Sequence, residues 1–132
     1  MITQETNPKY GKNIRSDALI ISIVIKEYDS NNKYKVTNLN GIETDIENYE
    51  NILVNKFGYS LISNISNEYM PKYGFRMTKE KMVSFLRDCR HKLFDFKTGT
   101  LYFDSLFVTI GAHGTSKGII CSEGKLFEYN DI

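Results

Sequence analysis

A short run of apolar residues near the start of the chain, ALIISIVI at positions 18–25, most constrains the fold. The run is continuous rather than alternating, and isoleucine dominates it. Such a composition is typical of a strand that is buried on both faces, as in a parallel sheet. The run is also too short to cross a membrane as a helix. We therefore expect the chain to fold around a central strand that is covered on both sides.

An amphipathic helix is predicted over 42–57, because apolar residues recur there at three- and four-residue steps. The residues that share this face are Ile42, Ile46, Tyr49, Leu53 and Phe57. Acidic residues in the early turns match the helix dipole. Gly58 is the expected end, since glycine accepts the positive φ that closes many helices. The segment 59–63 then reads as a second strand.

A second helix is predicted over 79–94, with Thr78 as its N-cap. Its apolar stripe consists of Met82, Phe85, Leu86, Cys89 and Leu93. A third strand is predicted at 105–112, and the remainder of the chain resembles a small β-hairpin. The order β-α-β-α-β followed by a hairpin predicts an α/β fold with a largely parallel sheet and helices on its faces. Residues 1–16 are interpreted as a polar leader and 17–132 as one domain.

Charge and composition exclude several classes of function. The net charge is +1, from 17 basic and 16 acidic side chains, so no nucleic-acid partner is expected. The polar N-terminus lacks the apolar core of a signal peptide. The two cysteines show no paired spacing, which fits a reducing compartment. We expect a cytoplasmic protein with no membrane contact.

The segment IGAHG, at 110–114, carries the strongest chemical signal. His113 follows the third strand, at the carboxyl edge of the sheet where ligands collect in parallel folds. A neutral imidazole can move a proton near neutral pH. The small neighbours Gly111, Ala112 and Gly114 leave its approach open and one backbone N–H accessible to a developing oxyanion. On spacing alone, a turn histidine without a role is an equal alternative.

The other reactive side chains favour structural interpretations. His91 reads as a solvated helix position and Cys89 as a packed one. Cys121 lies eight residues after His113 and could pair with it as a nucleophile, but its strand-like surroundings predict burial. Glu43 and Asp45 are typical of a solvated helix face. Histidine and cysteine spacings predict no metal site, and no glycine-rich phosphate loop is present, so no cofactor is expected.

Four segments, in the same order, resemble the caspase-like cysteine peptidases, the group of caspases, metacaspases and paracaspases. They are DALIISI, LNGIETDIENYENILVNKFGYSL, MTKEKMVSFLRD and DSLFVTIGAHG, and the likeness spans roughly residues 17–127. The resemblance implies a caspase-like three-layer sandwich and a cysteine endopeptidase acting on a protein or peptide substrate. His113 would be the catalytic histidine, and the backbone N–H of Gly114 would help to bind the oxyanion.

Three positions depart from the family pattern. Ala112 replaces a common serine, which leaves the backbone chemistry intact. Leu39 stands where caspases carry an arginine before Gly41, so a preference for aspartate substrates is not implied. The family nucleophile ends the next strand, about 50 residues after the histidine, and would therefore lie beyond Ile132. The chain would then be the large-subunit-like half of the domain, whose partner is the C-terminal half or another caspase-like chain.

Two other hypotheses stay open at this point. A non-catalytic, caspase-like interaction module would use the third strand as an unprotected sheet edge that pairs with another chain. An unrelated α/β domain of the flavodoxin or receiver kind would carry clustered acidic residues or a phosphate loop after the first strand. The segment KEYDSNN, at 26–32, offers only one glutamate and one aspartate there.

Overall fold

The computed structural model of this chain describes residues 5–7, 12–14 and 17–131. Strands β1 (Glu5–Asn7) and β2 (Lys12–Ile14) form an antiparallel pair. The other positions of the predicted leader lie outside the described residues. The rest of the chain is a mixed α/β structure built around a parallel sheet.

Three parallel strands form the main sheet, in the order β4–β3–β7. Strand β3 (Ala18–Val24) is central, between β4 (Ser60–Ser63) and β7 (Ser105–Gly111). All seven residues of β3 are buried. The prediction of a parallel sheet with a doubly covered central strand is confirmed, with each strand one or two residues shorter than expected.

Helix α1 (Glu43–Tyr49) follows the long connection after β3 and continues into a π-helical turn (Glu50–Val54). The prediction of one α-helix over 42–57 is wrong in its second half, because the π turn shifts the side chains that follow it. Phe57 is consequently exposed and stacks on Tyr59 instead of entering the core. Gly58 has φ +73° and ends the helical segment, as predicted.

Helix α2 (Lys79–Leu93) begins at Thr78, whose hydroxyl accepts a hydrogen bond from the Lys81 N–H at 3.2 Å. Its buried stripe, formed by Met82, Phe85 and Cys89, packs in one cluster with Leu19, Ile21, Ile23 and Ile25. Residues of β3 alternate between the two faces of the sheet, so this cluster covers one face only. Near the other face, the Ile42 side chain at the start of α1 approaches Gly111.

Two pairs of short strands and one 3₁₀ turn complete the described fold. Strands β5 (Phe94–Asp95) and β6 (Thr100–Leu101) form an antiparallel pair that the sequence did not predict. Strands β8 (Gly118–Ile120) and β9 (Leu126–Glu128) form the predicted hairpin after His113. A 3₁₀ turn (Tyr129–Asp131) follows. The hairpin packs into the same cluster as α2, through Ile119, Ile120, Cys121 and Phe127.

Candidate active site

The candidate site lies at the carboxyl edge of the parallel sheet. Strand β7 ends at Gly111 and the chain reaches His113 two residues later, while β3 ends at Val24 and leads to Tyr28. Ends of neighbouring parallel strands meet at one edge, so these two loops face each other. The Asn64 side chain, which follows β4, closes the end of β3 by accepting from the Val24 N–H at 2.8 Å.

The His113 imidazole is held in one tautomer. Its Nε2 atom lies 2.7 Å from the carbonyl oxygen of Thr37, in the loop between β3 and α1. A carbonyl oxygen only accepts hydrogen bonds, so Nε2 must be the protonated nitrogen. Among the described residues no hydrogen bond uses Nδ1, and the side chain is half-buried. In the neutral imidazole Nδ1 is then the unprotonated nitrogen, which is the form a general base requires.

The main chain of His113 is fixed on both sides. Its N–H donates to the hydroxyl oxygen of Tyr28 at 3.0 Å, and its carbonyl accepts the Ile120 N–H at 2.9 Å. The Tyr28 hydroxyl in turn donates to the carbonyl of Ile120 at 3.0 Å. Two hydrogen bonds thus join the loop after β7 to the loop after β3 and to the hairpin, and the third joins the loop after β3 to the hairpin.

The N–H of Gly114 remains open. Its residue is exposed and lies opposite Ile119 as a non-hydrogen-bonded pair, and no hydrogen bond among the described residues uses its N–H. Gly114 directly follows His113 and has an N–H without a partner in the described part of the chain, which is the kind of donor an oxyanion site requires.

Neither cysteine is a nucleophile in this structure. Cys121 is fully buried, and burial raises the pKa of its thiol to about 12. Cys89 is also buried within α2, and burial likewise raises the pKa of its thiol to about 12. Among the described residues no hydrogen bond joins either thiol to His113. The possible pairing of Cys121 with His113 is therefore wrong, and the packing interpretation of both cysteines is confirmed.

The remaining predicted positions lie away from the imidazole or serve structure. His91 is exposed on α2, which confirms its interpretation as a solvated helix position. Its ring packs edge-on against Phe96. Glu43 is more than a solvated residue, because its carboxylate pairs with Lys26 at 2.9 Å. The hydrogen bond from Lys26 lowers the pKa of Glu43. Asp45 is exposed, so the two acids do not form a paired-carboxylate site.

An open cavity of about 530 Å³ lies beside the site, on the loop after β3. Its lining includes Tyr28, Lys35, Thr37, Asn38 and Asn40. Leu39 does not line the cavity and packs against the core cluster instead. The apolar side chain of Leu39 therefore contributes to the hydrophobic core.

Sequence reasoning missed Thr37 and Tyr28. Thr37 contributes a main-chain carbonyl, which has no signature in the sequence. Tyr28 had a usable signal, because it follows the central strand and must therefore emerge at the same sheet edge as the residues after β7. A polar side chain at that position is a candidate partner for any group in the neighbouring loop.

In the described part of the chain, no group of three or more potential metal-ligating side chains comes together. Its helices are all too short or too polar to traverse a bilayer. No protein-family model, curated protein or solved structure matches this chain.

Proposed function

We propose that this chain supplies the histidine half of a cysteine-type endopeptidase centre of the caspase or metacaspase kind. One observation carries the proposal: Nε2 of His113 is hydrogen-bonded to the Thr37 carbonyl, so Nδ1 is the unprotonated nitrogen of the neutral imidazole, and the N–H of the next residue, Gly114, has no hydrogen bond among the described residues. A base and an oxyanion donor are the two groups that assist a thiol in acyl transfer.

The order of elements supports the same proposal. The strand order β4–β3–β7, helices beside the two faces and a hairpin after His113 agree with a caspase-like three-layer sandwich. The four-segment sequence resemblance covers these elements in the same order. The cavity beside Thr37 offers room for a substrate side chain. Because Leu39 belongs to the core, the proposed peptidase does not use a caspase-type arginine for substrate selection.

In the proposed mechanism, Nδ1 of His113 removes the proton of a thiol, and the thiolate attacks the carbonyl carbon of a peptide bond. The oxyanion that forms accepts a hydrogen bond from Gly114. The imidazolium then returns its proton to the departing amine, and water hydrolyses the thioester. Since Cys89 and Cys121 are buried, the thiol comes from the C-terminal half of the same domain or from another caspase-like chain.

The test uses protein expressed from the full natural reading frame and a labelled peptide chloromethyl ketone, which alkylates an activated thiol. His113→Ala is expected to slow labelling about a hundredfold, because general-base assistance is lost. His91→Ala is the matched control, since His91 is exposed on α2 and should leave labelling unchanged. Labelling that is indifferent to His113→Ala would remove His113 from the mechanism.

A second candidate function is a non-catalytic interaction module that pairs with another caspase-like chain through β7. The observation in its favour is the exposure of three consecutive apolar residues on this edge strand: Leu106 by 44%, Phe107 by 55% and Val108 by 39%. A groove of about 510 Å³ separates β7 from α2. Exposed, apolar sheet edges are templates for strand pairing with a partner.

Size-exclusion chromatography with light scattering tests this candidate. The module predicts association that grows with concentration and that Phe107→Lys abolishes. Phe57→Lys is the control, because Phe57 is similarly exposed but lies outside the sheet. A monomer at all concentrations would count heavily against the interaction module.

A further inference from the structure

Tyr28 follows the central strand and reaches His113 across a separation of 85 residues in sequence. We propose that Tyr28 is a positioning residue for His113, and that its hydroxyl and its amide together fix the orientation and tautomer of the imidazole. The inference rests on the proposed role of His113 as a general base. Tyr28 thereby belongs to the site although it is neither the base, the nucleophile nor the oxyanion donor.

The hydroxyl of Tyr28 forms two hydrogen bonds with opposite roles. Its oxygen accepts the main-chain N–H of His113 at 3.0 Å and donates its proton to the carbonyl of Ile120 at 3.0 Å. The donated bond requires the neutral phenol. Burial raises the pKa of Tyr28 to about 12, so the phenol stays neutral wherever an imidazole titrates. The bridge between the His113 loop and β8 therefore persists throughout that range.

The amide and the ring of Tyr28 act on the other side of the imidazole. The Tyr28 N–H donates to Oδ1 of Asn38 at 2.8 Å, and Asn38 directly follows Thr37, whose carbonyl accepts the Nε2 proton. The Tyr28 ring packs edge-on against the imidazole, with centroids 5.1 Å apart and planes at 61°. One residue thus contacts the main chain and ring of His113 and the loop that supplies its acceptor.

The same hydrogen bonds exclude a direct role of the Tyr28 hydroxyl in proton transfer. Its proton is committed to Ile120, so the phenol is not a proton donor to substrate. Its oxygen also occupies the His113 N–H, which leaves the N–H of Gly114 as the open donor at this turn. The His113 amide therefore holds the loop through its hydrogen bond to Tyr28, and the adjacent Gly114 amide is left for substrate.

The experiment compares Tyr28→Phe with wild type by NMR of the nitrogen-15-labelled chain. Removal of the hydroxyl should accelerate hydrogen exchange of the His113 amide about tenfold, the effect of one lost hydrogen bond, after correction for global unfolding. The imidazole nitrogen shifts should move from the Nε2-protonated form towards a tautomer mixture. Tyr69→Phe is the matched control, because Tyr69 is buried and its hydroxyl makes no hydrogen bond within the described residues. The control should show neither change.

Two results overturn the inference. One is a His113 amide that exchanges freely in the wild-type protein, a measurement that needs no variant and so stands even if Tyr28→Phe fails to fold. The other is a Tyr28→Phe protein with wild-type amide exchange and imidazole shifts. Chloromethyl ketone labelling separates the two proposals, because indifference to His113→Ala rejects the base role without altering the NMR result on Tyr28.

Discussion

Strands β3 and β7 lie side by side, each seven residues long and rich in apolar residues, yet their surroundings differ completely. Every residue of β3 is buried between two parallel neighbours and packed layers. The first four residues of β7 are exposed, because β3 is its only strand partner among the described residues. Burial is therefore decided by neighbours and not by the strand's own composition. An apolar strand with one neighbour is suited to receiving a second.

The largest expected effect comes from truncating paired residues on the two strands. Ile20 and Phe107 are register partners, but Ile20 is fully buried whereas Phe107 is largely exposed. Ile20→Ala should reduce the free energy of unfolding by about 3 kcal/mol, because it leaves a cavity in the core. Phe107→Ala should change it by less than about 1 kcal/mol. Urea denaturation of both variants measures the difference, and equal losses would contradict the contrast between the strands.

The second largest effect is expected at Asn64, which forms hydrogen bonds with the last residue of β3. Asn64 is buried and bonds to both the N–H and the carbonyl of Val24, at 2.8 and 2.7 Å. Asn64→Ala would leave these buried groups unpaired, so a loss of about 2 kcal/mol is expected. Asn55→Ala serves as the control, since Asn55 is exposed on the helical segment. Similar urea midpoints for the two variants would show that Asn64 does not hold the strand end.

A smaller effect is expected where β7 meets α1. A Cβ atom added at Gly111 would lie 2.6 Å from Cδ1 of Ile42, so Gly111→Ala forces the Ile42 side chain to move. We expect a loss of about 1.5 kcal/mol from this overpacking. Ile42→Val removes the atom in conflict, and the double variant should be more stable than the sum of the single effects predicts. Strict additivity in thermal unfolding would rule out this contact as the cause.

The smallest expected effect at neutral pH concerns Cys121, a buried residue of the hairpin that packs in the same cluster as β3. The thiol of Cys121 ionises near pH 8.5 when unfolded, whereas burial raises its folded pKa to about 12. The stability from the neutral thiol is fully present below the unfolded pKa and is lost as the pH rises towards the folded one.

Cys121→Ala should therefore cost about 1 kcal/mol near pH 7, whereas by pH 10 the wild type has lost about 2 kcal/mol through ionisation of the unfolded thiol, so the variant should then be the more stable protein. Urea denaturation at the two pH values measures this reversal. A constant difference between the proteins would mean that Cys121 does not contribute to the alkaline loss of stability.

Much of the fold could be predicted because local patterns and packing agree. The continuous apolar run gave β3, Thr78 marked the start of α2, and Gly58 marked the end of the first helical segment. The exposure of β7 was expected only under the interaction-module hypothesis, since the residues of this strand resemble those of a buried one. The π turn and the β5–β6 pair were also missed, because their hydrogen bonding depends on tertiary surroundings rather than on side-chain periodicity.

The candidate site was predicted as single residues but not as an arrangement. His113 and Gly114 stood out because small residues surround an imidazole after an apolar strand. The acceptor for Nε2 is a main-chain oxygen in a loop 76 residues away, and such a contact has no side-chain pattern. The burial of Cys121 follows from the packing of the hairpin against α2, which a spacing of eight residues does not encode.

The π-helical turn after α1 has a consequence for changes in chain length. A turn of this kind contains one residue more than the α-helical turn it replaces. Deleting a single residue between Glu50 and Val54 would convert the turn to α-helix while both ends of the segment keep their places. The first helical segment is therefore a place where we expect the chain to lose one residue without moving the loop that presents Thr37 to His113.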